Sequence, residues 1–184
     1  MNLQDIVNNE KTDKDTVHSY LPEYQKLFSK IRERVENVLE IGIGRGGSLA
    51  LWNDYFPNAT IYGLDDLTNG IEEGINGFHW VRDYDRIKIL VPYDAYNPKT
   101  LDLFKDTKFD IIIDDGPHTL KTQIYCAKNY TKLLKKGGIL VIEDIEGVNI
   151  EPIKNAFDNI EKVKCKDLRH HKSRYDDVLI IYEN

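Results

Sequence analysis

Cysteine, basic charge and long apolar runs are all scarce in this chain of 184 residues. Its two cysteines, Cys126 and Cys165, are far apart and lack metal-ligand spacing, so we expect free thiols in a reducing cytoplasm. A formal net charge of −6 argues against nonspecific nucleic-acid binding, although it leaves a local basic patch open. No stretch approaches the roughly 18 apolar residues of a membrane span, and the N-terminus lacks the regions of a signal peptide. We therefore expect a cytoplasmic protein without a nucleic-acid or membrane partner, and both a monomer and a homo-oligomer stay open.

Alternating strand and helix patterns predict the fold. Apolar runs predict seven strands, at about 37–41, 60–64, 87–91, 109–114, 139–144, 163–168 and 178–182. Helical patterns lie before the first strand and between most of the others, which predicts a doubly wound, Rossmann-like α/β fold with a mostly parallel seven-stranded sheet. They include a helix at about 120–134, for which Gly137 and Gly138 are a stop signal, and a short helix within 70–85. The last two strands are joined without a helix and predict a C-terminal antiparallel hairpin. The length fits a single domain, residues 1–184.

The most informative segment is 38–48, where an apolar strand runs into a glycine-rich turn and then a helix. Glycine lacks the Cβ that would keep a nucleotide-like ligand away from backbone N–H groups, so Gly42 and Gly44 are candidate cofactor-binding residues. Asp65 follows the second strand at about the spacing at which a carboxylate meets a ribose diol. Asp94 follows the third strand, where this fold usually meets an adenine ring, and an ordinary loop aspartate explains it equally well. We expect an adenosine-containing cofactor.

The glycine spacing alone does not identify that cofactor, since Gly42, Gly44 and Gly47 also fit the G-x-G-x-x-G pattern of dinucleotide-binding proteins. Glu40 favours a different ligand, because a carboxylate at the end of the strand would repel a pyrophosphate and attract a cationic amino acid moiety. An NAD-dependent oxidoreductase would also need a hydride-site pair such as Tyr-x-x-x-Lys, for which the sequence offers no support.

Acidic residues follow two neighbouring strands of the predicted sheet. Asp114 and Asp115 end the fourth strand, and Glu143 and Asp144 end the fifth, so their carboxylates would converge at the ligand-binding edge. Two carboxylates about 4 Å apart repel by about 4 kcal/mol at an effective dielectric constant of 20, and an ion such as Mg²⁺ would relieve that repulsion. His118 follows closely and could take a proton from a metal-bound hydroxyl. A helix-capping Asp114 and a solvated His118 are the alternatives.

Three segments resemble a known family. The glycine turn resembles motif I of class I methyltransferases. Asp-Asp-Gly-Pro-His at 114–118 resembles the Asp-Asp-Gly-Ser-His signature of the macrocin and mycinamicin sugar O-methyltransferases and the related cephalosporin hydroxylase-like group. Lys-Thr-Asp-Lys at 11–14, followed by His18, Tyr20 and Tyr24, is similar to the segment that precedes their catalytic domain. Lys11 and Pro117 depart from the family pattern, which has glycine and serine there.

The resemblance implies a class I methyltransferase fold in which residues 1–36 contribute to the cover of the active site. It implies S-adenosylmethionine and Mg²⁺ as cofactors. The implied cofactor-binding residues are Glu40, Gly42, Gly44, Asp65 and Asp94; the implied metal ligands are Asp115, Glu143 and Asp144; the implied catalytic residues are His118, as base, and Asp115.

The implied function is O-methylation of a sugar or glycosylated metabolite, a small-molecule acceptor. A small diol such as a catechol is an alternative acceptor, and a cofactor-binding protein without transferase activity is an alternative function. The basic loop 169–174 either clamps an anionic acceptor or is a solvated face.

Overall fold

A computed structural model describes residues 1–68 and 77–184. Its strands are β1 (Asn37–Ile41), β2 (Thr60–Leu64), β3 (Ile87–Leu90), β4 (Phe109–Asp114), β5 (Leu134–Ile142), β6 (Val163–Asp167) and β7 (Val178–Glu183). Its α-helices are α1 (Leu3–Ile6), α2 (Leu21–Phe28), α3 (Gly47–Tyr55), α4 (Leu120–Asn129), α5 (Ile150–Lys154) and α6 (Arg169–Lys172). Short 3₁₀ helices lie at Arg32–Arg34, His79–Asp83, Pro98–Phe104, Tyr130–Leu133, Gly147–Asn149 and Ile160–Lys162. The short helix predicted within 70–85 lies partly outside the described residues.

The strands of the described part of the chain form a seven-stranded sheet in the order β3-β2-β1-β4-β5-β7-β6. β7 is antiparallel to both of its neighbours, and the other pairs are parallel. The predicted mostly parallel sheet with a C-terminal antiparallel hairpin is therefore confirmed. The connection of the hairpin, predicted to lack a helix, contains the short helix α6. The chain winds outward in both directions from the β1–β4 pair, and open α/β sheets bind ligands at such a switch point, beyond the carboxyl ends of the strands.

The central strand β4 is buried on both faces and divides the hydrophobic core into two layers. Ile111 and Ile113 pack on one face with aromatic side chains of α2 and α3, among them Trp52. Ile112 points to the other face, where it packs with residues of α4 and α5, among them Ala127. Because successive side chains alternate across a strand, a continuous apolar run can supply both layers. Helices on both faces of the sheet fix the positions of the strand ends.

The predicted helix at 120–134 is shorter in the structure. The α-helix ends at Asn129, and β5 begins at Leu134 rather than near residue 139. Gly137 and Gly138, which suggest a helix stop in the sequence, instead pair with the end of β7: the Gly137 N–H donates to the Asn184 carbonyl, and the Asn184 N–H donates to the Gly138 carbonyl. Pairing with a strand that is distant in sequence thus overrides the local stop signal.

The turn after β1 touches the turn after β4 at Gly42. This residue has a φ of +87°, and a Cβ built on it would lie 2.0 Å from the carbonyl oxygen of Asp115. Gly44 also has a positive φ, of +50°, but a Cβ there would have no neighbour within 4 Å. Gly42 therefore satisfies two requirements, a left-handed backbone and a close approach between two turns, whereas Gly44 satisfies only the first.

We expect Gly42→Ala to lower the free energy of unfolding by about 1–3 kcal/mol more than Gly44→Ala, because only the first substitution adds a steric overlap to the backbone strain. Urea denaturation of the two variants and the wild type measures the difference. Equal losses in the two variants would contradict the close packing of the turns.

Candidate active site

A pocket of about 610 Å³ lies at the switch point, within the range of small-molecule sites. Four segments contribute to its lining: the N-terminal segment 9–13, the glycine turn 41–45, the loop 93–96 and the loop 115–118. The structure brings Gly42, Gly44, Asp65, Asp115, His118 and Asp144 to this pocket. The turns that follow β1, β2, β4 and β5 thus meet at one edge of the sheet, as the sequence predicts.

Asp65 forms hydrogen bonds that hold the glycine turn, and it also lines the pocket. Its Oδ2 accepts a hydrogen bond of 2.9 Å from the Ile43 N–H, and its Oδ1 accepts one of 2.7 Å from the Leu67 N–H. Two backbone donors fix the orientation of the carboxylate, which leaves it preorganised toward a ligand in the pocket.

The structure differs from the sequence prediction for two cofactor candidates. Asp94 is exposed and accepts from the Tyr96 N–H at 2.8 Å, and Tyr96, with Ala95, lines the pocket instead. Glu40 is fully buried behind the pocket wall, where its Oε2 accepts from Trp52 Nε1 at 3.1 Å. Neither carboxylate is among the described residues that line the pocket.

The ammonium of Lys14 occupies the centre of the acidic edge. Its Nζ lies 2.7 Å from Asp115 Oδ2, 2.8 and 2.7 Å from the two oxygens of Glu143, and 3.4 Å from Glu40 Oε1. Lys14 is 1% exposed, and Glu40 and Glu143 are equally buried. Three carboxylates from the ends of β1, β4 and β5 therefore share one buried cation.

These contacts set the charge states of the buried groups. Burial alone would lower the pKa of Lys14, but Asp115, Glu143 and Glu40 together outweigh it and hold the pKa well above its usual value, so Lys14 is charged. Burial raises the pKa of Glu40 to about 7 although the Lys14 charge opposes the shift. Burial also raises the pKa of Glu143 well above its usual value, although the Lys14 charge opposes the shift. The lysine is thus the fixed charge of the cluster.

A second, outer group of side chains faces the pocket. His118 Nε2 lies 3.4 Å from Asp144 Oδ2 and 3.7 Å from Asp115 Oδ1, and the ligand atoms of the three residues all lie within 4.8 Å of one another. His118 and Asp144 both have a φ of +53°, a left-handed conformation that costs a non-glycine residue about 1–3 kcal/mol. Two strained residues aimed at each other are typical of a functional site.

The structure separates Glu143 from this outer group, in contrast to the sequence prediction that it is a metal ligand beside Asp115 and Asp144. Both of its oxygens contact Lys14, and Oε1 also accepts a short hydrogen bond from the Tyr24 hydroxyl. It is not among the described residues that line the pocket. Glu143 therefore belongs to the buried half of the acidic edge.

Neighbouring side chains hold the end of β5 in position. The Tyr20 hydroxyl donates to Asp144 Oδ1 at 2.5 Å, and the side-chain amide of Gln123 donates to the carbonyls of Glu143 and Asp144 at 3.0 and 3.1 Å. Tyr20 and Tyr24 reach over from the N-terminal part of the chain, and Gln123 comes from α4. Both layers of the fold therefore orient the Asp144 carboxylate.

The sequence places Lys14 in a segment similar to the one that precedes the family's catalytic domain but assigns it no partner, and it does not indicate Gln123. The available signal for Lys14 is electrostatic: four acidic residues at adjacent strand ends require a cation, and a lysine in the segment that precedes the sheet can supply it. No comparable local signal identifies Gln123, whose role depends on where α4 packs.

The chain is similar to known sugar O-methyltransferases. No family model matches the chain. The demethylmacrocin O-methyltransferase of Streptomyces fradiae is 33% identical over 143 residues, which are 71% of this chain and 32% of that protein. The 8-demethyl-8-alpha-L-rhamnosyl tetracenomycin-C 2'-O-methyltransferase of Streptomyces olivaceus is 28% identical over 159 residues, 80% of this chain and 39% of that protein. The predicted resemblance to the macrocin and mycinamicin sugar O-methyltransferases is confirmed.

Solved structures agree with the sequence relatives. The MycE methyltransferase of the mycinamycin biosynthetic pathway, in complex with Mg, SAH and mycinamycin VI, is 31% identical with a TM-score of 0.57, over 70% of this chain and 33% of that one. An rRNA methylase from Streptococcus thermophilus has a TM-score of 0.64 over 88% of this chain and 94% of that one, at 12% identity, a likeness of fold alone. This chain has the class I methyltransferase fold.

The chain spans about a third of the length of the curated relatives it matches. The matched part makes up between 32% and 39% of each relative. Within residues 1–68 and 77–184, none of the helices combines the length and the apolar character that a membrane crossing requires.

Asp114 bonds to a residue of the pocket wall, and its raised pKa makes the free energy of unfolding depend on pH. Its Oδ1 accepts a hydrogen bond of 2.6 Å from the hydroxyl of Tyr96, a pocket residue. Burial raises the pKa of the Asp114 carboxyl from 3.8 to about 6, although the hydrogen bonds from Tyr96 and Cys126 oppose the shift. Between these two pH values the folded state binds more protons than the unfolded state, so the free energy of unfolding falls as the pH rises.

We expect the wild type to lose about 2 kcal/mol relative to Asp114→Asn between pH 4 and pH 7, since the asparagine keeps the shape and the acceptor of the side chain without titrating. Urea denaturation at a series of pH values measures both curves. Parallel curves for the two proteins would contradict a raised pKa at Asp114.

Proposed function

We propose that this chain is an S-adenosylmethionine-dependent and Mg²⁺-dependent O-methyltransferase domain that acts on a hydroxyl of a sugar or glycosylated metabolite. The observation that carries the proposal is the position of His118 Nε2, 3.4 Å from Asp144 and 3.7 Å from Asp115, at a pocket formed by the glycine turn. Two findings support it: the printed names of the relatives describe O-methylation of sugar positions, and the MycE complex contains Mg and SAH.

The cofactor half of the pocket fits a nucleoside. Gly42 and Gly44 line the pocket, and Gly44 leaves the turn after β1 open to a ligand, since a Cβ there would meet nothing within 4 Å. The preorganised Asp65 carboxylate would accept hydrogen bonds from a ribose diol. Ala95 and Tyr96 line the part of the pocket where the sequence places Asp94, so we assign the adenine contact to them. Glu40 would act indirectly, through the Lys14 ammonium that separates it from the pocket.

The outer carboxylates fit a magnesium ion. Bonds of about 2.1 Å place two ligands of one Mg²⁺ about 3–4 Å apart, and the candidate ligand atoms of Asp115, His118 and Asp144 all lie within 4.8 Å of one another. We assign Asp115, Glu143 and Asp144 as its ligands; in the structure, the oxygens of Glu143 contact Lys14. When bound, the ion would lower the pKa of an acceptor hydroxyl and orient it.

His118 is then the general base. Its Nε2 faces both outer carboxylates, which would orient the imidazole and stabilise its positive charge after it takes the proton from the acceptor hydroxyl. The left-handed backbone at His118 supports this assignment, because the strain persists only where the surrounding structure holds the residue in place.

We further propose that residues 1–184 form one domain in which residues 1–36 cover the site. The N-terminal segment 9–13 contributes to the pocket lining, and Lys14, Tyr20 and Tyr24 bond to the acidic edge. These contacts support a cover formed by the N-terminal segment at this edge of the sheet.

The acceptor defines the main alternative. A vicinal diol such as a catechol would also chelate an ion held by Asp115 and Asp144. A panel of glycosides, simple diols and RNA, assayed with isotopically labelled S-adenosylmethionine, separates the possibilities. Transfer to a glycoside supports the proposed class, and transfer only to a catechol or only to RNA contradicts it.

We expect His118→Ala to lower the turnover number by about 10²–10⁴-fold with little change in S-adenosylhomocysteine affinity, because the substitution removes the base and spares the cofactor half of the pocket. His170→Ala, at an exposed histidine, is the matched control and should keep the wild-type rate. Turnover by His118→Ala within a few-fold of the wild type would remove this histidine from the mechanism.

We expect Asp65→Ala to weaken S-adenosylhomocysteine binding by about 10–100-fold, the loss expected for hydrogen bonds to a charged group, while Mg²⁺ binding is retained. Asp66→Ala is the matched control, because it removes the adjacent carboxylate. Calorimetric titration measures both variants. Stronger loss in the Asp66 variant would transfer the ribose contact to that residue, and binding of NAD in place of S-adenosylhomocysteine would contradict the proposed cofactor.

A further inference from the structure

The connection between β6 and β7, residues 168–177, returns to the edge of the sheet that carries the pocket. β7 runs antiparallel to β5, with Ile180 opposite Ile142, and the Ile145 N–H donates to the Val178 carbonyl at 3.4 Å. The first residues of an antiparallel strand lie beside the last residues of its neighbour. The chain therefore enters β7 next to the turn that follows β5.

Two of the basic side chains of this connection are bonded locally. Arg169 Nε donates to Asp167 Oδ1 at 2.9 Å, and Arg174 Nη2 donates to Asp176 Oδ2 at 2.9 Å. These acidic partners are each only two residues away. Lys172 differs from both arginines, because its partners lie in the N-terminal segment.

Lys172 bonds to two backbone carbonyls of the N-terminal segment. Its Nζ donates to the carbonyl oxygen of His18 at 2.7 Å and to that of Asp15 in a shorter hydrogen bond. An ammonium has three donors, so one lysine can bind both carbonyls at once. The two carbonyls flank Thr16 and Val17, which line the pocket. Lys172 thus holds both ends of a short stretch that faces the pocket.

Asp177 makes a second contact with the same segment. Its side chain is fully buried, and its Oδ1 accepts a hydrogen bond of 3.1 Å from the Ser19 N–H. The Tyr20 hydroxyl lies 3.4 Å from the Asp176 carbonyl oxygen, within hydrogen-bond distance. Together with the contacts of Lys172, these bonds attach the N-terminal segment to the β6–β7 connection.

We propose that the β6–β7 connection is a latch for the N-terminal segment, in which Lys172 and Asp177 hold residues 15–19 and so keep Thr16 and Val17 at the wall of the pocket. Lys172 and Asp177 are positioning residues, because neither is among the described residues that line the pocket. The latch follows from contacts within the chain, whereas its effect on a bound cofactor rests on the proposed function.

The latch controls how a ligand leaves the pocket. Residues 9–13 and 16–17 belong to the pocket lining, so a bound nucleoside leaves faster when this segment detaches from the sheet. Removing hydrogen bonds to a charged donor would raise the detached fraction about 10-fold. Because Lys172 is exposed, its substitution leaves the hydrophobic core intact.

The first test measures amide hydrogen exchange in the protein without ligands. The N–H groups of residues 17–20 all donate within the chain, so their exchange reports detachment of the segment. Lys172→Met should speed their exchange about 10-fold, and Lys172→Arg, which keeps donors for both carbonyls, should stay near the wild type. The control Lys136→Met, the same change at an exposed lysine away from the site, should match the wild type. Exchange in Lys172→Met at the wild-type rate would overturn the latch.

A pair of variants tests the buried contact of the latch. Asp177→Leu removes the acceptor of the Ser19 N–H and should speed exchange of that amide about 10-fold, whereas Asp177→Asn retains an acceptor and should stay closer to the wild type. Equal exchange in the two variants would remove Asp177 from the latch. If Asp177→Leu does not fold, as checked by circular dichroism, the comparison of Asp177→Asn with Lys172→Met decides.

The second test measures the release of S-adenosylhomocysteine by surface plasmon resonance. Lys172→Met should release it about 10-fold faster than the wild type, and Lys172→Arg and Lys136→Met should not. Faster amide exchange with unchanged release would contradict the positioning of the pocket wall. A wild type that binds no S-adenosylhomocysteine would contradict the proposed function instead, and the exchange rates alone would then decide the latch.

Discussion

The ion pairs of Lys14 are the interaction on which the site depends. Parallel strands bring Glu40, Asp115 and Glu143 to the same edge of the sheet, and these carboxylates would repel one another strongly in a buried environment. The fold resolves the conflict with a lysine from the segment that precedes the sheet. Because that lysine is completely buried among the strand ends, the N-terminal segment is as much a part of the site as the strands are.

The same interaction divides the acidic edge into two environments. The inner half is buried and neutralised by Lys14, and its hydrogen bonds fix the backbone at the ends of β4 and β5. The outer half faces the pocket, where Asp115, Asp144 and His118 have polar atoms without a fixed cation between them. Asp115 belongs to both halves. One of its oxygens bonds to Lys14 and stabilises the fold, and the other faces the pocket, where the proposed chemistry takes place.

The local patterns of the sequence predict the strands, the glycine turn and the edge at which the acidic residues meet. They do not predict which carboxylate oxygens bond to Lys14 and which face the pocket. Lys14 lies 101 residues from Asp115 and 129 from Glu143, and no periodicity relates such partners. The Asp94 prediction places the correct loop at the pocket but the wrong side chain, since a turn that directs Ala95 and Tyr96 inward leaves Asp94 in solvent. The glycine pair at the start of β5 is misinterpreted for the same reason: its partner, Asn184, is far away in sequence.

The most direct test of the account is an anomalous-scattering map from crystals grown with S-adenosylhomocysteine and Mn²⁺. We expect a single manganese peak at the carboxylates Asp115, Glu143 and Asp144, beside His118, with S-adenosylhomocysteine beside the glycine turn. Bound S-adenosylhomocysteine without a manganese peak at these carboxylates would contradict the proposed metal site.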